Sequence, residues 1–173
     1  MDLLADLGEL ALASRLRRLS DRLLRDVSRL YGDLDVPFEA RWFPLLQALR
    51  RQSPQTVTGL ARALGLTHPA VTALAREMAR HGLVASRQDP RDARRRLVRL
   101  TAGGRAVNER LDPIWEEIRQ ANRELLAEDG VDLLAALGRL EARLDRRSMY
   151  ERVVARLEAD RAAAGPAASA GAG

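Results

Sequence analysis

The amino-acid sequence predicts a mainly α-helical fold: a central helix-turn-helix, a small β-hairpin after it, and long helices at both ends of the chain. Three observations carry this expectation. Hydrophobic residues make up 46% of the 173 positions but aromatics only 3%, so Leu, Val and Ala must fill the core, which favours interlocked helices over a sheet sandwich. Residues 56–82, TVTGLARALGLTHPAVTALAREMARHG, place two helical apolar patterns on either side of one tight turn. Toward both ends, apolar residues recur at spacings of four and three, the period of helices that pack along their length.

From Leu3 to Tyr31, the residues Leu12, Leu16, Leu19, Leu23, Val27 and Leu30 mark one side of a long amphipathic helix; Gly8 weakens its first turns, and Gly32 to Pro37 end it. Phe38 to Arg51 reads as a second helix with Trp42, Leu45, Leu46 and Leu49 on one face, in which Pro44 imposes a kink or a late start. In the central motif Thr56 caps the first helix, Val57, Leu60 and Leu64 form its apolar face, and Gly65 tolerates the left-handed conformation that stops it. Thr67 caps the second helix, whose first turn accepts Pro69 because an amide there has no partner to lose. On that helix Val71, Leu74, Ala75 and Met78 make one apolar stripe, while Pro69, Ala73, Arg76 and Arg80 point the opposite way and Thr72 flanks them. Leu83–Arg87 and Leu97–Leu100 read as two short strands, with residues 88–96 as a long exposed tip. Thr101 caps a helix that continues to about Ala127 through Val107, Leu111, Ile114, Ile118, Ala121 and Leu125, kinked by Pro113. Asp129 and Gly130 break the chain, Val131 to about Leu157 gives a last helix, and the small-residue tail is expected to be disordered.

The formal charge is +5, and residues 84–105, with seven Arg against two Asp, account for all of it. A local basic patch suits a polyanion, since each neutralised phosphate releases counterions. Position alone carries this information, because all 29 basic residues are Arg, a bias of the whole sequence. The outward face of the second motif helix is small, hydroxylic and cationic. Small residues permit close approach to a major groove, and Arg can donate two hydrogen bonds to guanine O6 and N7. A solvated helix-turn-helix in an all-helical core is the plainer reading, and the basic hairpin beside the motif favours DNA readout over it. A winged-helix protein-interaction module is the alternative; it would want an apolar outward face, against which Arg76 and Arg80 stand.

The absence of cysteine excludes disulfides, thiolate zinc sites and thiol-based sensing. His68 and His81 fall at a helix start and a helix end, so neither a metal site nor a cofactor is expected. No nucleophile has an evident base beside it and there is no Gly-rich phosphate loop, which argues against an enzyme. No apolar run approaches membrane-spanning length and no signal-peptide order opens the chain, so a cytoplasmic protein without a membrane partner is expected.

The stretch TVTGLARALGLTHPAVTALAREMARHGLV, the wing DPRDARRRLVRLTAGG from Asp89 to Gly104, and the order of helices around them closely resemble the MarR family of winged-helix transcriptional regulators, over about Leu12 to Leu157. The resemblance implies a homodimer interlocked through its terminal helices, a reading helix in the major groove of double-stranded DNA, and a wing arginine in the minor groove. The implied domains are an N-terminal dimerisation helix at 1–36, a DNA-binding lobe at 37–104, C-terminal dimerisation helices at 105–160 and a tail at 161–173. Candidate DNA-binding residues are Thr56, Thr67, His68, Pro69, Ala70, Thr72, Ala73, Arg76 and Arg80 in the motif, and Arg91, Asp92, Arg94 and Arg95 in the wing, with Asp92 holding Arg94. The peroxide sensors of this family use an N-terminal Cys that the chain lacks. Many members bind small aromatic or anionic effectors in a cleft between the dimer helices and the DNA-binding lobe. Phe38, Trp42, Phe43 and Trp115 are the candidates to line such a cleft, with Arg15 or Arg41 as anion partner, although core packing is the plainer role for most of these aromatics. The expected function is that of a homodimeric, sequence-specific repressor of palindromic operators, open to release by such an effector.

Overall fold

Glycines and hydroxyl side chains set several helix ends in the computed structural model, which describes residues 1–128 and 130–164. Helix α1 (Leu3–Asp6) is capped by the Asp2 carboxylate, which accepts from the Leu4 amide at 3.2 Å. Gly8, at φ +52°, then turns the chain through a short 3-10 segment, Gly8–Ala11, into α2 (Leu12–Asp33). The single N-terminal helix expected from Leu3 onward is therefore split, because a left-handed glycine cannot continue a right-handed helix. A 3-10 turn, Ala40–Trp42, leads into α3 (Phe43–Arg51), where Pro44 occupies the first turn; the proline delays the start and introduces no kink.

The central elements follow as β1 (Gln55–Thr56), α4 (Val57–Leu64), α5 (His68–Arg80), β2 (Val84–Asp89) and β3 (Asp92–Leu100). The three strands form one antiparallel sheet in the order β1-β3-β2, with Gln55 opposite Val98, Thr56 opposite Leu97 and Val84 opposite Leu100. The expected hairpin is thus joined by a third strand of two residues, too short to register as an alternating pattern. Helix α6 (Ala102–Ala127) starts at Thr101, whose Oγ1 accepts from the Gly104 amide at 2.9 Å and points its own proton at the carbonyls of Gly82 (2.5 Å) and Leu83 (3.1 Å). One hydroxyl thus caps α6 and fastens it to the turn after α5.

The chain divides into two compact units, Met1–Glu116 and a second that begins at Glu117. In the first, Leu45, Leu46, Leu49, Leu60, Val71, Met78, Val98 and Leu111 are completely or almost completely buried. Each such side chain contributes about 1.5–3 kcal/mol relative to exposure. This core lies behind α4 and α5 and fixes which of their faces look outward. In the second unit, α7 (Leu133–Arg146) and α8 (Met149–Ala164) replace the single helix expected over 131–157. Ser148 and Glu151 cause the division by capping α8 reciprocally: the Ser148 amide donates to Glu151 Oε2 (2.7 Å), and the Glu151 amide donates to Ser148 Oγ (3.2 Å). Residues 161–164 continue α8 where the disordered tail was expected to begin; the rest of that tail, like the Asp129 half of the expected chain break, lies outside the described residues.

Candidate nucleic-acid interface

Two threonines and one glycine build the helix-turn-helix. Thr56 Oγ1 accepts from the Gly59 amide (3.0 Å), Gly65 takes the left-handed conformation at φ +63°, and Thr67 Oγ1 accepts from the Ala70 amide (3.3 Å). Helix α5 buries Val71, Ala75 and Met78, which turns His68, Pro69, Ala70, Ala73, Arg76 and Arg80 to solvent. Thr72 stands at the edge of that face, its hydroxyl donating to the His68 carbonyl at 2.9 Å. Apart from half-buried Thr56, at the first helix's cap, the motif's candidate residues thus lie on or beside one outward surface of α5 and its N-terminal cap.

The basic ribbon differs from its expected form. Strands β2 and β3 pair regularly to Gln88 opposite Arg96 and then, across a register irregularity, at Asp89 opposite Asp92, so only Pro90 and Arg91 form the tip, and Arg94, Arg95 and Arg96 belong to a strand. Ladder hydrogen bonds join backbone groups whatever the side chains are, so a polar stretch extends the strand without any apolar alternation to announce it. Asp92 also holds a different group from the one expected. Its Oδ1 accepts from the backbone amide of Arg94 (3.0 Å), whereas its Oδ2 pairs with the guanidinium Nε of Arg95 (3.2 Å). The oriented guanidinium is Arg95, and the exposed side chain of Arg94 is left to reach outward. Asp89 ties down the tip by accepting from the Arg91 amide at 2.9 Å, and Arg96 donates across the ribbon to Ser86 Oγ at 3.2 Å.

Three residues absent from the sequence-based set join this surface. Thr58, Gly59 and Arg62 of α4 line a groove of about 270 Å³ together with Thr56 and Arg95. The only sequence signal for Arg62 is that its helix, VTGLARAL, holds no carboxylate to neutralise it.

Of the candidate effector residues, the aromatics come together, Arg41 is engaged by an acidic side chain, and Arg15 lines a separate groove. Phe38 lies edge-on to Trp42 (5.6 Å between centroids), Trp115 (6.4 Å) and Tyr31 (5.5 Å), and Phe43 packs on Trp115 at 5.1 Å. Tyr31, outside the expected set, accepts at its hydroxyl from Trp115 Nε1 (3.0 Å), and burial pushes its phenol pKa up. Trp42 is 1% exposed and packs against the His81 ring at a tilt, whereas Phe43 is 40% exposed. Arg41 is engaged by Glu77 of α5. Arg15 lies on α2 along a separate groove of about 950 Å³, with Arg18, Arg22 and Arg25. Among the described residues, Trp42 Nε1 and Asn108 Oδ1 are buried without a hydrogen-bond partner, no cluster of His, Asp or Glu could hold a metal ion, and no helix is long and apolar enough to cross a membrane.

The fold is shared with solved regulators. The chain is similar to MepR of Staphylococcus aureus, solved with DNA, at 24% identity and a TM-score of 0.64 over 77% of this chain and 98% of that one. It is similar to BpsR of Bordetella bronchiseptica, whose DNA binding is regulated by 6-hydroxynicotinic acid, at 27% identity and a TM-score of 0.60 over 76% and 98% of the two chains. It is likewise similar to PcaV of Streptomyces coelicolor, a transcriptional regulator solved with its natural ligand, at 24% identity and a TM-score of 0.60 over 86% and 97%. No curated protein matches by sequence comparison. The family model for the MarR family covers residues 34–95, the segment that contains the aromatic cluster's Phe38 and Trp42, both motif helices and most of the basic ribbon. With that match laid over a capped helix-turn-helix and an arginine-bearing wing, residues 34–95 are similar to the MarR family, and the chain shares the fold of the solved regulators.

Proposed function

We propose that this protein is a homodimeric, sequence-specific repressor that binds palindromic operators in double-stranded DNA through α5 and the β2–β3 ribbon, and that a small aromatic or anionic ligand releases it. The observation that carries the reading is the outward face of α5, where Pro69, Ala73, Arg76 and Arg80 stand exposed beside an arginine-rich ribbon. Small residues let such a helix approach a groove floor, and the arginines supply base-edge and phosphate contacts. The same face weighs against a protein-interaction module, which would present apolar side chains there. A two-fold dimer presents two such lobes, so its operator is an inverted repeat, and a protein clamped over two half-sites blocks access to the DNA beneath it. The solved similarity to a regulator controlled by 6-hydroxynicotinic acid supports an aromatic acid as the ligand class. The exposed edge of the aromatic cluster at Phe43 is its proposed point of entry, and Arg41 its anion partner; an acid that captures Arg41 competes with Glu77 on the reading helix.

Selection of genomic fragments by the purified protein tests the reading. The expected result is an inverted-repeat consensus with half-sites about one helical turn apart; a consensus without symmetry, or no enrichment, would defeat it. Aromatic acids should then release the selected operator, and Phe43→Ala should weaken that release. Trp42→Ala is the poorer probe, since emptying a site 1% exposed destabilises the core first.

A further inference from the structure

We propose that Arg62 of α4 and Arg95 of β3 together clamp one phosphodiester of the DNA backbone, in the groove of about 270 Å³ that they line with Thr56, Thr58 and Gly59. The clamp rests on the DNA-binding reading above and adds to it a contact indifferent to base sequence. The sheet register creates it. Thr56, the cap of α4, lies opposite Leu97, and Arg95, two residues before Leu97 on β3, lines the same groove as the start of that helix.

Arg62 is not consumed by the fold. Arg17, Arg29, Arg41 and Arg50 each face an Asp or Glu, but α4 contains no carboxylate and, among the described residues, Arg62 forms no ion pair. Arg95 is held at its Nε by Asp92, which leaves its terminal nitrogens to donate. Two guanidiniums less one carboxylate leave a single positive charge, the complement of a single phosphodiester. The planar fork of each guanidinium matches phosphate oxygens, and the exposed hydroxyl of Thr58 adds a further donor. Gly59 keeps the floor bare: a Cβ there would meet Thr56 Oγ1 at 3.1 Å and take up the space beside it. Because the groove sits on α4 rather than on the outward face of α5, its ligand is backbone rather than base, which positions the reading helix without specifying sequence.

The test measures binding of the full-length protein to its selected operator and to a scrambled duplex, each at several salt concentrations. Arg62→Gln and Arg95→Gln should each weaken both duplexes by the same factor, about tenfold at most, with unchanged melting temperatures. The double variant should lose less than the product of the two single losses and shallow the salt dependence by about one phosphate-equivalent, because both cations serve one phosphate. Arg62→Lys, which keeps the charge and loses the fork, should recover part of the loss. Wild-type affinity for both duplexes in Arg62→Gln, a loss confined to the operator, or fully multiplicative losses would overturn the clamp while the DNA-binding reading stands. Failure of the wild-type protein to bind any duplex would overturn both.

Discussion

At the scale of single residues, close approach decides the consequence of a change more than residue type does. A Cβ on Gly104 would lie 2.0 Å from the Leu83 carbonyl oxygen, which is backbone and cannot swing aside, whereas a Cβ on neighbouring Gly103 would meet the Gly82 carbonyl oxygen at 3.2 Å and Thr101 Oγ1 at 3.7 Å. Ala gains about 1 kcal/mol over Gly in a helix, which offsets the small shift at 103 and cannot offset the clash at 104. Gly104→Ala should therefore cost about 3 kcal/mol, the upper end for overpacking, while Gly103→Ala stays within about 1 kcal/mol of wild type. Denaturant unfolding of the two variants compares them directly, and equal stabilities would contradict the argument. Asp2 offers a second test. Both its oxygens accept from Arg18 at 2.8 Å, and that bond, first among the causes, lowers its pKa from 3.8 to about 2. A folded-state pKa below the unfolded one means the tie is fully present above about pH 4 and is lost as pH falls toward 2. Titration of the Asp2 carboxyl by NMR should give a midpoint near 2, returning toward 3.8 in Arg18→Gln; the same midpoint in both proteins would show that the tie does not form in solution.

At the scale of elements, helix and ribbon should divide the labour of binding. Arg76 stands on the outward face of α5, so Arg76→Ala should cost about 1–3 kcal/mol on the operator and relax preference at one position of each half-site. Arg94 extends from β3 without the carboxylate that restrains Arg95, and the negative potential of a narrow minor groove attracts such a side chain. Arg94→Ala should weaken operator and scrambled DNA alike. If Arg76→Ala proved equally indifferent to sequence, α5 would not be reading bases. The ends of these elements were legible to different degrees. Thr56, Gly65 and Thr67 announce the helix-turn-helix because caps and left-handed stops are local and carried by few residue types. The S-x-x-E box at Ser148 is equally local, and apolar spacing followed across it overlooks it. The length of the ribbon was not legible, since the pairs Gln88–Arg96 and Asp89–Asp92 extend a ladder that only the partner strand defines.

For the whole molecule, the unfinished surface is the long face of α2. Leu12, Leu16, Leu19 and Leu23 are between 42% and 48% exposed, an apolar stripe that one chain leaves open to water. Covering each leucine is worth about 1.5–3 kcal/mol at most, enough over two copies of the stripe to hold a dimer. Leu16→Asp with Leu23→Asp should give a monomer by light scattering, with operator affinity reduced because the half-sites are no longer bound together. A stable dimer with wild-type affinity would place the interface elsewhere.

The sequence by itself determined the helical class, the helix-turn-helix with its caps, the outward face of α5 and the concentration of positive charge after it, because periodicity, capping and charge act over a few neighbouring residues. The tertiary structure alone decided which arginine Asp92 orients, that Arg62 stands beside Arg95, that Arg15 is not grouped with the aromatics, and that Trp42 is core while Phe43 reaches solvent. These outcomes depend on strand register and on packing between residues far apart in the chain. A one-residue slip of β3 would turn Arg95 away from α4, and no local pattern in its run of arginines fixes that register.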